Sequence, residues 1–168
     1  MMKDEENICL ACGICCDGTL IGFVEVEAAE FARLKGVLEI EESDEIGFFL
    51  HPCEKFCEKC TIYDQRPKQC GLFECKVLKS YEQGEIDFKT ATNIIETVIE
   101  KKVAIQEKLV ALDMKLKSGS FCFKMMEIKN LLANGNDKIV RTDKHDEIML
   151  DIEELNGVVM KHFGVSYF

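Results

Sequence analysis

Nine of the ten cysteines in this 168-residue chain fall in two short runs: Cys9, Cys12, Cys15 and Cys16, then Cys53, Cys57, Cys60, Cys70 and Cys75. Core packing uses buried cysteines singly and has no reason to space four of them at steps of three, three and one. Thiolate coordination does. A C-x2-C turn lets sulfurs converge on one point, and zinc takes four such ligands at roughly 2.3 Å. Gly13 relaxes the backbone where the first knuckle must bend. The same C-x2-C-x2-C opening serves iron–sulfur clusters, where a distant cysteine completes a set begun in one loop. Zinc and an iron–sulfur cluster therefore both stay open. Adjacent Cys15 and Cys16 are hard to aim at one metal, which leaves one of them for a second site.

Charge and composition narrow the setting. Apolar residues make up 47% of the chain, with only two prolines, as expected for a globular protein. The net charge of −10 argues against a nonspecific grip on nucleic acid, which depends on Lys and Arg neutralising phosphates. One segment departs from this acidity: residues 51–79 carry Lys55, Lys59, Arg66, Lys68, Lys76 and Lys79 against Glu54, Glu58, Asp64 and Glu74. A divalent metal with four thiolates keeps a formal charge of about −2 that such cations would stabilise; solvated loop charges are the plainer reading. The acidic start, Met1 to Asn7, has the character of neither a secretory signal nor a transit peptide, and no apolar run is long enough to span a membrane. The expectation is a cytoplasmic protein, where clustered cysteines stay reduced and bind metal more often than they pair.

The second run reads Pro52-Cys53-x3-Cys57-x2-Cys60-Thr61-Ile62-Tyr63-x2-Arg66-Pro67-x2-Cys70-x4-Cys75. C-x2-C-x2-C-C followed by C-x-I-Y-x2-R-P-x2-C resembles the YkgJ-type cysteine-cluster family of zinc- or iron-chelating proteins, over residues 9 to about 75. The resemblance implies ligands at Cys9, Cys12, Cys15, Cys16, Cys53, Cys60 and Cys70. Cys75 sits where many members have a further cysteine. Cys57 is an addition, so either Cys57 or Cys75 is a spare. The cluster also occurs in flagellin lysine methylases, which implies a link to an iron–sulfur cofactor and protein methylation. The chain contains no G-x-G that would form a glycine-rich nucleotide loop, and no G-x-S-x-G. No catalytic residue is assigned.

Around the ligands, Arg66 has the donors to cap carbonyls or neutralise thiolate charge, and Pro67 biases the chain before it toward extended geometry. Tyr63 either packs over the site with its hydroxyl on a backbone group or serves as an ordinary core aromatic, the latter preferred. His51 is a lesser ligand candidate. Cys122, between two phenylalanines, reads as an inert buried thiol, and His145 and His162 as surface or helix-end residues.

The elements that must position these residues read as an α+β chain. Strands are expected over Gly18–Val26 and Gly47–Leu50, with a helix over Glu27–Lys35 between them and a solvated acidic loop over Glu39–Glu45. Helices are expected over Leu72–Tyr81, Phe88–Lys117, Phe121–Ala133 and Lys144–Phe163, with a turn at Asn134–Asp137. Residues 1–82 would form a small cysteine-rich, metal-nucleated module with short strands, and residues 83–168 a helical hairpin or three-helix bundle packing on it. The functions this admits are a structural or partner-docking metal module with a protein partner, or an iron–sulfur protein in electron transfer or protein modification.

Overall fold

The computed structural model describes residues 7–42, 45–133 and 142–168. The expected turn at Asn134–Asp137, most of the acidic start and residues 43–44 of the acidic stretch lie outside them. The described chain is α+β, with its strands confined to the first half and its long helices to the second.

The larger core grows from three helices whose apolar residues recur at helical spacing. Helix α5 (Phe88–Ala111) buries Ala91, Ile95, Val98, Ile105 and Leu109; α6 (Phe121–Ala133) buries Phe121, Met125, Ile128 and Leu132; α7 (Asp143–Phe163) buries Ile148, Ile152, Leu155 and Val159. Helix α5 starts on Asp87, whose Oδ1 accepts the Thr90 N–H at 2.7 Å. It ends at Ala111 rather than Lys117, because Asp113 turns left-handed at φ 49° and the Lys117 and Ser118 N–H groups donate to the Glu127 carboxylate instead. Thr142 and His145 form a reciprocal cap at the start of α7, so His145 is a helix-end residue, though a buried one.

This core does not stop at the helices. Ile8, Ile14 and Leu20 from the first cysteine run, and Val77 from α4 (Lys76–Glu82), are buried in the same cluster. The expected helix over Leu72–Tyr81 is in fact two: α3 (Lys68–Leu72) and α4, separated by extended Phe73 and by Cys75, which caps α4 with its sulfur on the Leu78 N–H.

The smaller core lies under an antiparallel sheet of β1 (Phe23–Glu27), β2 (Glu41–Glu42) and β3 (Ile46–Leu50), in the order β1-β3-β2. Alternation sends Val24, Val26 and Phe49 inward to meet Leu34 and Leu38, and leaves Phe23, Phe48 and Leu50 exposed. Helix α2 (Ala28–Leu34) joins β1 to this core. Two expectations are corrected. The first strand begins at Phe23 rather than Gly18, because Gly18 turns at φ 81° and the Thr19 N–H bonds back to Ile14 O and Asp17 Oδ1. Within the acidic stretch, Glu41 and Glu42 pair with Phe48 and Gly47 as an edge strand rather than staying in a loop.

One ion pair braces the first run against the helices. Lys102 of α5 reaches Asp17 Oδ2 at 2.8 Å, with the two side chains only 14% and 21% exposed. Replacing Lys102 leaves a half-buried carboxylate unpaired, so Lys102→Met is expected to lower stability by about 1–3 kcal/mol. Denaturant titration of the pair Lys102→Met and Asp17→Asn checks this: the double variant should lose less than the sum of the singles.

Candidate metal centre

The first run is built on one turn of helix. Asn7 caps α1 (Ile8–Cys12) by accepting the Leu10 N–H at 3.1 Å, and Gly13 ends it at φ 66° with its N–H on Cys9 O. The buried side chains of Ile8 and Ile14 fix this turn on the larger core.

After Cys53 the second run passes through β4 (Phe56–Cys57) and β5 (Lys59–Cys60), a minimal hairpin with left-handed Glu58 (φ 59°) at its tip. It meets the first run at two joints. The Cys53 N–H donates to Cys16 O at 2.8 Å. The Phe56 ring lies where Gly13 has no side chain, so a Cβ there would stand 2.5 Å from a ring carbon. Gly13→Val therefore meets both a left-handed backbone and an occupied space, and is expected to cost roughly 1–2 kcal/mol from the backbone alone. It should also lower metal content per chain, read by elemental analysis, whereas Gly84→Ala, also left-handed but with open space around it, should not.

Beyond the hairpin, Tyr63–Gln65 form a single 3-10 turn, Arg66 is extended before Pro67, and α3 carries Cys70. The Arg66 guanidinium lies 3.7 Å over the Tyr63 ring and donates to Tyr63 O at 2.9 Å. Tyr63 belongs to neither core; its hydroxyl accepts from Asn7 Nδ2 at 3.1 Å and it lines the site. The sequence preference for a core aromatic is thus not met, because Arg66 and Asn7 hold the ring between the two runs.

Eight cysteines line one cavity of about 460 Å³: Cys9, Cys12, Cys15, Cys16, Cys53, Cys60, Cys70 and Cys75. Cys57 is exposed on the hairpin outside it, and Cys122 is buried in α6 beside Ser120. All ten cysteines are free thiols. His51 lies in the cavity wall, buried, with Nδ1 unpartnered and burial holding its pKa down. His145 and His162 are not part of the lining.

Electrostatics divide the eight thiols. Burial pushes Cys12 up to about 12, with Cys75 and Cys9 adding to the shift. Cys15 is raised well above its ordinary value by burial and then by Cys12, Cys75, Cys16 and Cys9. Cys16 is pushed up to about 12 by burial and then by Cys60, Cys53 and Cys70. Cys70 reaches about 12 by burial and the thiols of Cys53 and Cys60. Arg66 opposes the rise at both Cys9 and Cys70, and Lys55 does so at Cys53. Lys68 and Lys79 pair with Glu27 and Glu74 on the surface, so the basic character of this segment reaches the thiols only in part.

The donors suit zinc or iron in kind, being soft thiols with a guanidinium close by. Among the described residues no group of three or more His, Cys, Asp or Glu side chains is arranged to hold a metal ion as it stands. The sulfurs stand around a space rather than meeting at a point. Metal entry must therefore draw them in or fill the space between them, and it must displace protons from thiols that burial keeps neutral.

Nor is any described helix long and apolar enough to cross a membrane. The family described as "CxxCxxCC: Putative zinc- or iron-chelating domain" matches residues 8–107, a span that takes in all nine clustered cysteines. No curated protein and no solved structure matches the chain.

Proposed function

Because the chain belongs to the CxxCxxCC family of zinc- or iron-chelating domains, we propose that it binds zinc or iron through the eight thiols of its cavity, with Arg66 offsetting their charge. The observation that carries this reading is the convergence itself. Two cysteine runs separated by α2 and the three strands of the sheet return to line one space, while Cys57 and Cys122 lie outside it. When bound, the metal supplies cross-links that the short elements around it cannot: α1 and α3 have five residues each, and β4 and β5 two. The chain's own residues bind and shield it, with Tyr63 and Arg66 closing one side.

An iron–sulfur occupant is the second reading. It is favoured by the breadth of the cavity and by the lack of a ready single-ion site among the described residues, since a polynuclear cluster holds its cysteines farther apart than one ion does. Protein purified without oxygen decides between them. Iron with sulfide and absorbance near ~400 nm identifies the cluster; colourless protein with stoichiometric zinc from an iron-replete culture identifies zinc. Protein that takes up neither metal, under either regime, overturns chelation.

A further inference from the structure

We propose that the eight cavity thiols form two separate four-thiol metal sites: Cys9, Cys12, Cys15 and Cys75 in one, and Cys16, Cys53, Cys60 and Cys70 in the other, with Cys57 in neither. This division rests on the chelation reading above. It assigns each cysteine by what its backbone is attached to.

The two cores separate the thiols first. Cys12, Cys15 and Cys75 pack against the large helical core, whereas Cys53 and Cys70 pack against the small core under the sheet. Cys70 and Cys75 lie close in sequence, yet they part because α3 packs on β1 while α4 packs on α5 and α7. The extended break at Phe73 makes that change of partner possible. Neighbouring Cys15 and Cys16 part in the same way: Cys15 stays with the larger core, and Cys16 gives its carbonyl to the Cys53 N–H. The Cys15–Cys16 step thus ties one residue to each side.

The remaining two follow their neighbours. Cys9 shares α1 with Cys12 and follows Ile8, which is buried in the larger core, while Cys60 ends β5 two residues before Ile62, which packs against the smaller one; the two sets adjoin where α1 packs on β5. Four thiols on each side match the coordination number of zinc and the ligand number of an iron–sulfur cluster alike. Each set also draws on both runs, three and one in the first, one and three in the second.

The test uses the full chain purified anaerobically with its metal. The protein is treated with stepwise increasing chelator and pulsed with N-ethylmaleimide, and labelling at each cysteine is read by mass spectrometry beside the metal released. Cys57 should label before any chelator is added. The remaining eight should then become reactive in two blocks of four with the membership given above, each block accompanied by half of the metal. Eight thiols exposed as one block, or blocks of different membership, would overturn the division and leave chelation standing. Eight thiols fully reactive before chelator, in protein that still carries its metal, would remove chelation by these residues altogether.

Variants give an independent reading. Cys75→Ser and Cys70→Ser should each halve the metal per chain, and Cys57→Ser should leave it unchanged. Cys12→Ser combined with Cys75→Ser should lose no more than either alone, whereas Cys70→Ser combined with Cys75→Ser should lose all. A double variant within one set that loses all the metal in soluble, helical protein contradicts the division.

Discussion

Stripping the bound metal is expected to unfold the segment that carries the second cysteine run while the long helices persist. The smaller core buries only Val24, Val26, Leu34, Leu38 and Phe49, too little to order the sheet, the hairpin and α3 by apolar burial alone. A four-thiolate zinc site contributes on the order of 10 kcal/mol to folding. The larger core draws most of its buried residues from α5, α6 and α7, which carry no metal ligand. Metal-free protein should therefore keep most of its far-ultraviolet helical signal and lose protease resistance between β3 and α4. Its first unfolding transition should fall by roughly 20 °C or more. Unchanged protease resistance across residues 51–75 after complete metal removal would contradict this.

The second large effect is a reversal in how stability depends on pH. In the metal-free protein Cys12, which packs against the persisting larger core, stands at about 12 against an ordinary thiol value of 9.0, because burial disfavours its thiolate. Above about pH 9 the folded state then holds more protons than the unfolded one. Its stability is full below that pH and falls as pH rises toward 12. For Cys12 alone the loss is on the order of 4 kcal/mol, an upper bound since the side chain is not wholly buried. Metal loading inverts the sign. Coordinated thiolates carry no protons while unfolded thiols do, so loaded protein gains stability as pH rises toward 9 and loses it on acidification, at about 1.4 kcal/mol per pH unit for each proton. Thermal unfolding from pH 5 to 11, with and without metal, measures both slopes. Parallel slopes in the two forms would mean that the cavity thiols are not the ligands.

The sequence made the two runs and the helical stripes legible because both are local patterns. C-x2-C spacing declares a turn within a few residues, and Ile95, Val98, Ile105 and Leu109 declare one helix face without reference to anything distant. What a local pattern cannot carry is the partner of each cysteine. Cys75 reads as the last member of the second run, yet it packs against the larger core beside Cys12 and Cys15, because the extended break at Phe73 parts α3 from α4. The same holds for Glu41 and Glu42, whose strand exists only by pairing with β3, and for Tyr63, whose surroundings come from Asn7 and Arg66. The Gly13–Phe56 joint is likewise a contact between segments. Gly13 signals its left-handed turn, but nothing near it announces the ring that occupies its missing side chain.

The acidic pair at β2 has a consequence for what could add to the edge of the sheet. A sheet whose outer face shows Phe23, Phe48 and Leu50 would, with an open border, invite a strand from another molecule. Here one border is two residues long and both are glutamates, so any strand added there would have to sit beside two like charges in so short a ladder. At the other border α3 packs on β1. The stretch that looks in sequence like the least structured part of the chain is the guard against edge-to-edge aggregation.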